Sequence, residues 1–173
     1  MTNIDKLQNS NECQGCDLSE MDFNNANLKN ANLRGADLSR SFLFGANLIG
    51  ADLRCVDLRC ADLNSADLRQ ADLREADLRQ ADLSEADLSE ANLQGAILVG
   101  SDLRWADLYK ANLSETNLMK SNLTGADLTE SNLTNANLTD ANLSRADLTN
   151  TNLTNTNLTN AITIDTIGCL NKL

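Results

Sequence analysis

The feature that most constrains this sequence is a five-residue repeat that runs without interruption from residue 16 to residue 160. Its 29 copies follow the order small residue, Asp or Asn, Leu, and two variable polar residues. The third position is Leu in every copy except one, where it is Phe23, and the second position departs from Asp or Asn only at Phe42 and Ile97. A period of five matches neither the 3.6-residue period of an α-helix nor the two-residue period of a strand, so neither element would bury all the third positions together.

A chain that turns one corner in each repeat does bury them. The first and third positions then point inward, the second points outward, and the last two residues form a turn, where polar residues and Gly are favoured. Four such sides close a square coil of 20 residues, and successive coils stack at the inter-strand spacing of roughly 4.8 Å. The sequence therefore predicts an all-β fold, a four-sided parallel β-helix of about seven coils over residues 16–160.

Both ends of the chain depart from the repeat, and we expect them to cap the exposed ends of the solenoid. Residues 1–15 are predicted to form an N-terminal cap, with Thr2 or Asn3 starting a short helix that places Ile4 and Leu7 on one face. Residues 161–173 are predicted to form a C-terminal cap whose isoleucines make an apolar tail. The same tail is the candidate seam of a homodimer, so the chain is expected to be a monomer or a homodimer through its C-terminal end.

Composition narrows the possible functions. The chain has no His, and 14 Lys and Arg against 25 Asp and Glu give a net charge of −11, which argues against direct nucleic-acid binding. A Leu-filled axis leaves no cavity for converging catalytic groups, so we expect no enzyme activity, no cofactor and no metal. The polar start and the lack of a long apolar run predict no membrane span and a cytoplasmic protein. An exported protein whose signal has been removed is the alternative.

The cysteines are predicted to be reduced. Five Cys without an export signal favour free thiols in a cytoplasm. Cys13 and Cys16 have the spacing of a metal or redox motif, but Cys16 occupies an inward small-residue position, and a zinc site lacks further ligands. We therefore interpret the cysteines as small structural residues.

Stacking every twentieth residue predicts charged columns on the surface. One side carries an unbroken acidic column, which is a candidate acidic face that mimics DNA: Asp67, Asp87, Asp107, Asp127 and Asp147. Closely stacked carboxylates repel, so some are expected to have a raised pKa or to be offset by neighbours. Arg69 lies beside this column, and Arg34, Arg54 and Arg74 stack on another side. A solvated ladder that only forms turns is the alternative interpretation.

Apolar residues at outward positions are the candidates for a partner surface, because such groups are unusual on a polar rod. One group lies early in the chain: Phe42, Phe44 and Ile49. A second group lies later: Ile97, Val99, Trp105, Tyr109 and Met119. The second group contains the only Trp and the only Tyr, residue types that often anchor interfaces. The alternative is that these residues pack locally on their own coils.

The tandem A(D/N)LXX array resembles the pentapeptide-repeat family over 145 of the 173 residues. The resemblance implies a right-handed quadrilateral β-helix, and it implies little about function. The best-understood members of that family are dimers that resemble DNA, bind type II topoisomerases and protect against quinolones. We therefore expect a protein-interaction rod with an unidentified protein partner, and the alternative is a DNA-mimicking modulator of gyrase.

Overall fold

The computed structural model describes Leu7, Ser10 and residues 11–168, and over them the chain is a right-handed, four-sided parallel β-helix, as predicted. Each second-position residue pairs in parallel with the residue 20 positions later, from Glu12 with Asn32 through to Asn142 with Ile162. Only the last coils pair over two consecutive residues, where strand β1 (Asp147–Leu148) lies beside strand β2 (Ile167–Gly168). The predicted stacking of residues 20 apart is therefore confirmed.

The four sides need names, because every surface feature lies on one of them. In the coil that starts at residue 36, side A is residues 36–40, side B is 41–45, side C is 46–50 and side D is 51–55. Each side then recurs every 20 residues in both directions along the chain.

The core is a continuous column of the first-position and third-position side chains. Third-position leucines from Leu33 to Leu148 are at most 1% exposed, and the first-position alanines between them are as deeply buried. Burying one Leu side chain contributes about 1.5–3 kcal/mol, so the stability of the rod grows with each stacked coil.

Backbone hydrogen bonds join each coil to the next in one pattern that repeats along the rod. The Leu88 amide donates to the Asp107 carbonyl at 2.7 Å, and the Glu90 amide donates to the Tyr109 carbonyl at 2.8 Å. Within the coil, the Ala91 amide donates to the Leu88 carbonyl at 3.0 Å and closes the corner. The backbone of the middle coils is thus paired on both sides, as buried backbone requires.

The corners depend on a left-handed backbone at the fifth position. Non-glycine residues there have φ between 55° and 61°, including Cys55, Glu75 and Trp105. A β-branched residue at such a φ is strained. No fifth position from residue 20 to residue 165 is Val, Ile or Thr, although the fourth position often is.

The coils extend further than the repeat motif. Residues 11–15 already form one side of a coil, since Glu12 pairs with Asn32 and Gly15 has the corner conformation with φ of 65°. Residues 161–165 likewise continue side B and end in a corner at Asp165 with φ of 56°. The predicted starting residues of the N-terminal helix, Thr2 to Ile4, lie outside the described residues.

Among the described residues, no helix is long and apolar enough to cross a bilayer.

The expectation of reduced thiols is wrong for Cys13 and Cys16, which form a disulfide with a Cα–Cα distance of 5.2 Å. Cys13 occupies a third position and Cys16 the next first position, so both side chains face the axis across a single corner. This proximity lies within the range that a disulfide spans. Such bonds persist in oxidising compartments, so this pair does not support the cytoplasmic expectation.

The described C-terminal part of the rod exposes large apolar side chains. Leu153 and Leu158 are only partly buried, unlike the leucines before them, and Ile162, Ile164 and Ile167 are 45%, 65% and 58% exposed. Residues 169–173 of the predicted C-terminal cap lie outside the described residues.

Candidate interaction surfaces

The outward residue at the second position of each repeat stabilises the turn that follows it. The Asx carboxylate or amide oxygen accepts the backbone N–H two residues later, as Asp87 Oδ1 does from Ser89 at 3.0 Å and Asn142 Oδ1 does from Ser144 at 3.0 Å. This bond fixes the turn from the side chain, which is why Asp and Asn are equivalent there. An outward apolar residue at this position therefore gives up a stabilising contact.

The acidic column lies on side C, as predicted, but its first and its middle carboxylate have different neighbours. Arg69 lies 2.7 Å from an oxygen of Asp67 and 3.5 Å from an oxygen of Asp87. Hydrogen bonding to Arg69 lowers the pKa of Asp67. Partial burial, with the neighbouring charges of Asp87 and Asp127, raises the pKa of Asp107. Both predicted outcomes for stacked carboxylates thus occur within one column.

Arginine neutralises three of the four sides in the middle of the rod. Residues 52–79 contain five arginines, and each makes a forked pair with the Asp two residues before it. They are Arg54 and Arg74 on side D, Arg59 and Arg79 on side A, and Arg69 on side C. These bonds lower the pKa of each paired carboxyl. Side B has Asn64 and Ser84 at the equivalent positions and carries no cation there.

The early apolar group lies mainly on side B. Phe42 and Phe44 are 50% and 45% exposed, whereas Ile49 lies on side C and is half-buried. Phe42 has no oxygen to accept the Phe44 amide, and Asn24 Oδ1 from the preceding coil accepts it at 3.0 Å. The coil therefore keeps its hydrogen bond without any help from Phe42.

The later apolar group does not form one surface, because its members lie on three sides. Ile97, which is 38% exposed, lies on side A with Val99 and Met119, and the last two stack as predicted. Tyr109 lies on side C, with Lys110 Nζ 4.9 Å from the centre of its ring.

Trp105 lies at the corner between sides B and C and is 57% exposed. Its ring rests over the Gly125 corner of the next coil, where an added Cβ would overlap the ring carbons. Trp105 therefore packs on its own rod with one face and presents the remainder to solvent.

The polar grooves on the surface are shallow and lined by paired groups. One on side A, of about 340 Å³, is lined by residues that include Arg59, Cys60 and Arg79. Both arginines are engaged by Asp57 and Asp77. Cys60 and Cys55 are exposed thiols at successive corners. Within residues 10–168 and Leu7, no three His, Cys, Asp or Glu side chains are arranged to hold a metal ion.

Comparison with known proteins places these features in a family. A sequence profile described as pentapeptide repeats matches the chain in eight copies over residues 12–50, 40–70, 51–89, 61–98, 86–125 and 126–162. Among solved structures, trypsin-treated QnrB1, a plasmid-mediated fluoroquinolone resistance protein, is 18% identical with a TM-score of 0.58, covering 93% of this chain and 90% of that one. That likeness shows the fold.

Two cyanobacterial structures are also similar. The pentapeptide repeat protein alr5209 from Nostoc Pcc 7120 is 44% identical over 50% of this chain and 69% of that one, with a TM-score of 0.47. The pentapeptide repeat protein Rfr23 from Cyanothece 51142 is 27% identical and covers 96% of this chain and 97% of that one, with a TM-score of 0.39. None of the curated proteins compared with this chain matches it significantly.

Proposed function

The chain belongs to the pentapeptide-repeat family, and we propose that it acts as a non-enzymatic rod that binds another protein through its outward side chains. The observation that carries this proposal is the exposure of large apolar residues at positions that the repeat otherwise makes polar, above all Trp105 and the pair Phe42 and Phe44. Aromatic side chains contribute a large share of binding energy at protein interfaces. The filled axis and the paired polar groups support binding over catalysis.

The test is partner capture from an extract of the native host. The variant Trp105→Ala with Tyr109→Ala removes both late aromatics, and Thr129→Ala with Thr149→Ala on side C serves as the control. We expect the aromatic variant to keep its melting temperature within a few degrees and to lose the captured protein, while the control retains it. A large loss of stability in the aromatic variant would show instead that these rings serve the fold.

A second candidate function is modulation of a type II topoisomerase by a DNA-like acidic face. The observation in its favour is that Asp107, Asp127 and Asp147 continue the acidic column on side C beyond the reach of Arg69. The test is inhibition of gyrase supercoiling by the purified protein. An acidic mimic would inhibit, and Asp87→Lys with Asp107→Lys would abolish that inhibition. We expect no inhibition, because arginines neutralise much of the acidic surface in the middle coils.

The apolar C-terminal part of the rod is a candidate homodimer seam within this proposal. Exposed isoleucines and partly buried leucines support an apolar contact between two ends. The test is to compare the sedimentation of the wild type with that of the double variant Ile164→Asp with Ile167→Asp, which distinguishes a dimer from a monomer. The dimer is supported if the wild type sediments as a dimer and the variant as a folded monomer.

A further inference from the structure

We propose that side B docks an arginine-rich segment of a protein partner, with Phe42 and Phe44 as its apolar contact and Asp62 and Asp82 as its charge partners. The inference rests on the proposed function and specifies which side of the rod is used and what chemistry the partner presents. It is carried by two independent features of side B, its exposed phenylalanines and two carboxylates that form no ion pair between described residues.

The phenylalanines are not required by the coil that carries them. Both are about half exposed, and the coil keeps a hydrogen bond to this turn because the Phe44 amide donates to Asn24 Oδ1 of the preceding coil. The buried positions of the same repeat are filled by Ser41 and Leu43, each at most 1% exposed. Phe42 and Phe44 therefore form an apolar surface that the fold leaves for another molecule.

The charge on side B differs from that on the other sides. Asp62 and Asp82 accept only local hydrogen bonds, from Asn64 at 3.1 Å and from Ser84 at 2.9 Å. No ion pair between described residues involves either carboxylate, whereas in the coil of Asp62 the Asp residues on sides A, C and D each have an arginine. Along this side the first cation after Phe44 is Arg104, which pairs with Asp102 and interacts more weakly with the charge of Asp82.

The register brings the two features together. Side B pairs Asp22, Phe42, Asp62 and Asp82 in sequence, so the backbone of Phe42 has an Asp backbone on either side at a spacing of roughly 5 Å. A guanidinium group stacks on an aromatic face and also pairs with a carboxylate through two hydrogen bonds. Lysine provides only a point charge, so arginine fits this surface better. A nucleic acid would meet like charge on this side.

The test uses a defined probe, a fluorescent nine-residue peptide that alternates Arg and Leu, titrated with the purified protein at about 0.15 M salt. Phe42→Asn with Phe44→Thr restores the residue types of the repeat and should fold. Asp62→Asn with Asp82→Asn retains the turn-forming oxygens and removes the charges. The matched control is Asp127→Asn with Asp147→Asn, which removes two carboxylates from side C, where no phenylalanine lies beside them.

We expect the wild type to bind the peptide and each side B variant to weaken binding about tenfold, with the control within about twofold. A peptide with Lys in place of Arg should bind several-fold more weakly, and one with Glu should not bind. Absence of wild-type binding, or equal weakening by the side C control, overturns the proposal.

Partner capture separates this inference from the broader function. If the side B variants capture the same protein from the native extract as the wild type does, the interaction function stands and the role of side B is refuted. The peptide could also bind as expected while no captured protein is lost when outward residues are substituted. In that case the proposed function as a protein-binding rod fails instead.

Discussion

At the scale of single residues, serine replaces alanine at four first positions, and the buried hydroxyls are not equivalent. Ser41, Ser101 and Ser121 each donate to the carbonyl three residues earlier, at 2.7–2.8 Å. Ser131 finds the equivalent carbonyl, that of Leu128, already taken by its own amide and by Thr151 Oγ1 at 2.8 Å. Its hydroxyl is therefore buried without a partner.

Ser131→Ala should consequently stabilise the protein, by about 1 kcal/mol, because it removes a buried polar group that has no hydrogen bond. Ser121→Ala is the matched control and should be neutral or slightly destabilising, since it removes a satisfied hydroxyl. Urea unfolding of both variants gives the comparison. Equal effects of the two substitutions would contradict the assignment of Ser131 as unsatisfied.

The first and the middle carboxylate of the acidic column, Asp67 and Asp107, predict opposite responses to charge removal. The raised pKa of Asp107 means that the folded protein binds its proton more tightly than the unfolded chain, so stability falls as pH rises through that pKa. The lowered pKa of Asp67 contributes stability above its ordinary pKa, which is lost as pH falls through the lowered value.

At neutral pH, Asp107→Asn should therefore raise the melting temperature and Asp67→Asn should lower it, each by an amount worth less than about 1 kcal/mol. Both substitutions keep the turn-forming oxygen, so only the charge changes. Below the ordinary Asp pKa the differences from wild type should shrink. Melting curves across this pH range provide the measurement, and the same sign for both variants would count against the charge assignment.

The sequence predicts outward and inward residues well, but it does not predict backbone conformation at the corners. The left-handed φ of the fifth position is compatible with many residue types, so no single residue such as Glu75 or Trp105 reveals it. The available signal is an absence, since β-branched residues occur at the fourth position and not at the fifth. The unpartnered Ser131 was not predictable, because it depends on competition with Thr151 in the next coil.

At the scale of the coil, the energetic cost of losing a leucine should depend on whether a coil lies on each side of it. Leu88 is fully buried between two coils, whereas Leu153 is partly exposed at the last one. Leu88→Ala should cost about 2–5 kcal/mol, because the rigid neighbours leave a cavity. Leu153→Ala should cost less than half as much, as measured by urea unfolding.

Leu88→Asp should prevent folding, since it buries an unpaired charge.

The disulfide between Cys13 and Cys16 closes a loop of only four residues, so its effect on stability should be small. Chain-entropy arguments give about 2 kcal/mol for a loop of this size. Cys13→Ala with Cys16→Ala should lower the free energy of unfolding by no more than that amount, and reductant should change the wild type equally. Mass spectrometry of the alkylated native protein should find these two thiols protected. Full alkylation without reductant would contradict the pairing.

This pairing also shows where sequence reasoning failed. Cys16 was correctly placed at an inward position, but the next inward residue before it, Cys13, lay outside the recognised repeat. The first coil in fact begins before residue 16, which brings both sulfurs to the axis. The boundary of a repeat is harder to predict than its interior, because terminal coils need not follow the motif.

At the scale of the whole molecule, the sequence predicts the architecture and the acidic column because both follow from a single period. The candidate partner surfaces depend on which of the four sides carries each outward apolar residue. Val99 and Met119 differ by 20 residues and share a side, whereas Trp105 and Tyr109 are close in sequence and are separated by a corner. The difference in charge between side B and the other three sides follows only from the structure, which shows which Asp residues pair with an arginine.

The acidic column and the position of the phenylalanines on side B both depend on one geometric claim, that residues 20 apart stack along one side. Nitroxide labels at Ser39→Cys and Thr139→Cys on side A, with the other unpaired cysteines replaced by Ser, test it by electron–electron distance measurement. Five coils separate these positions, so we expect a narrow distribution centred at roughly 24 Å between the backbones, plus the label linkers. A broad distribution, or a distance much beyond that value, would contradict the square coil and every surface built on it.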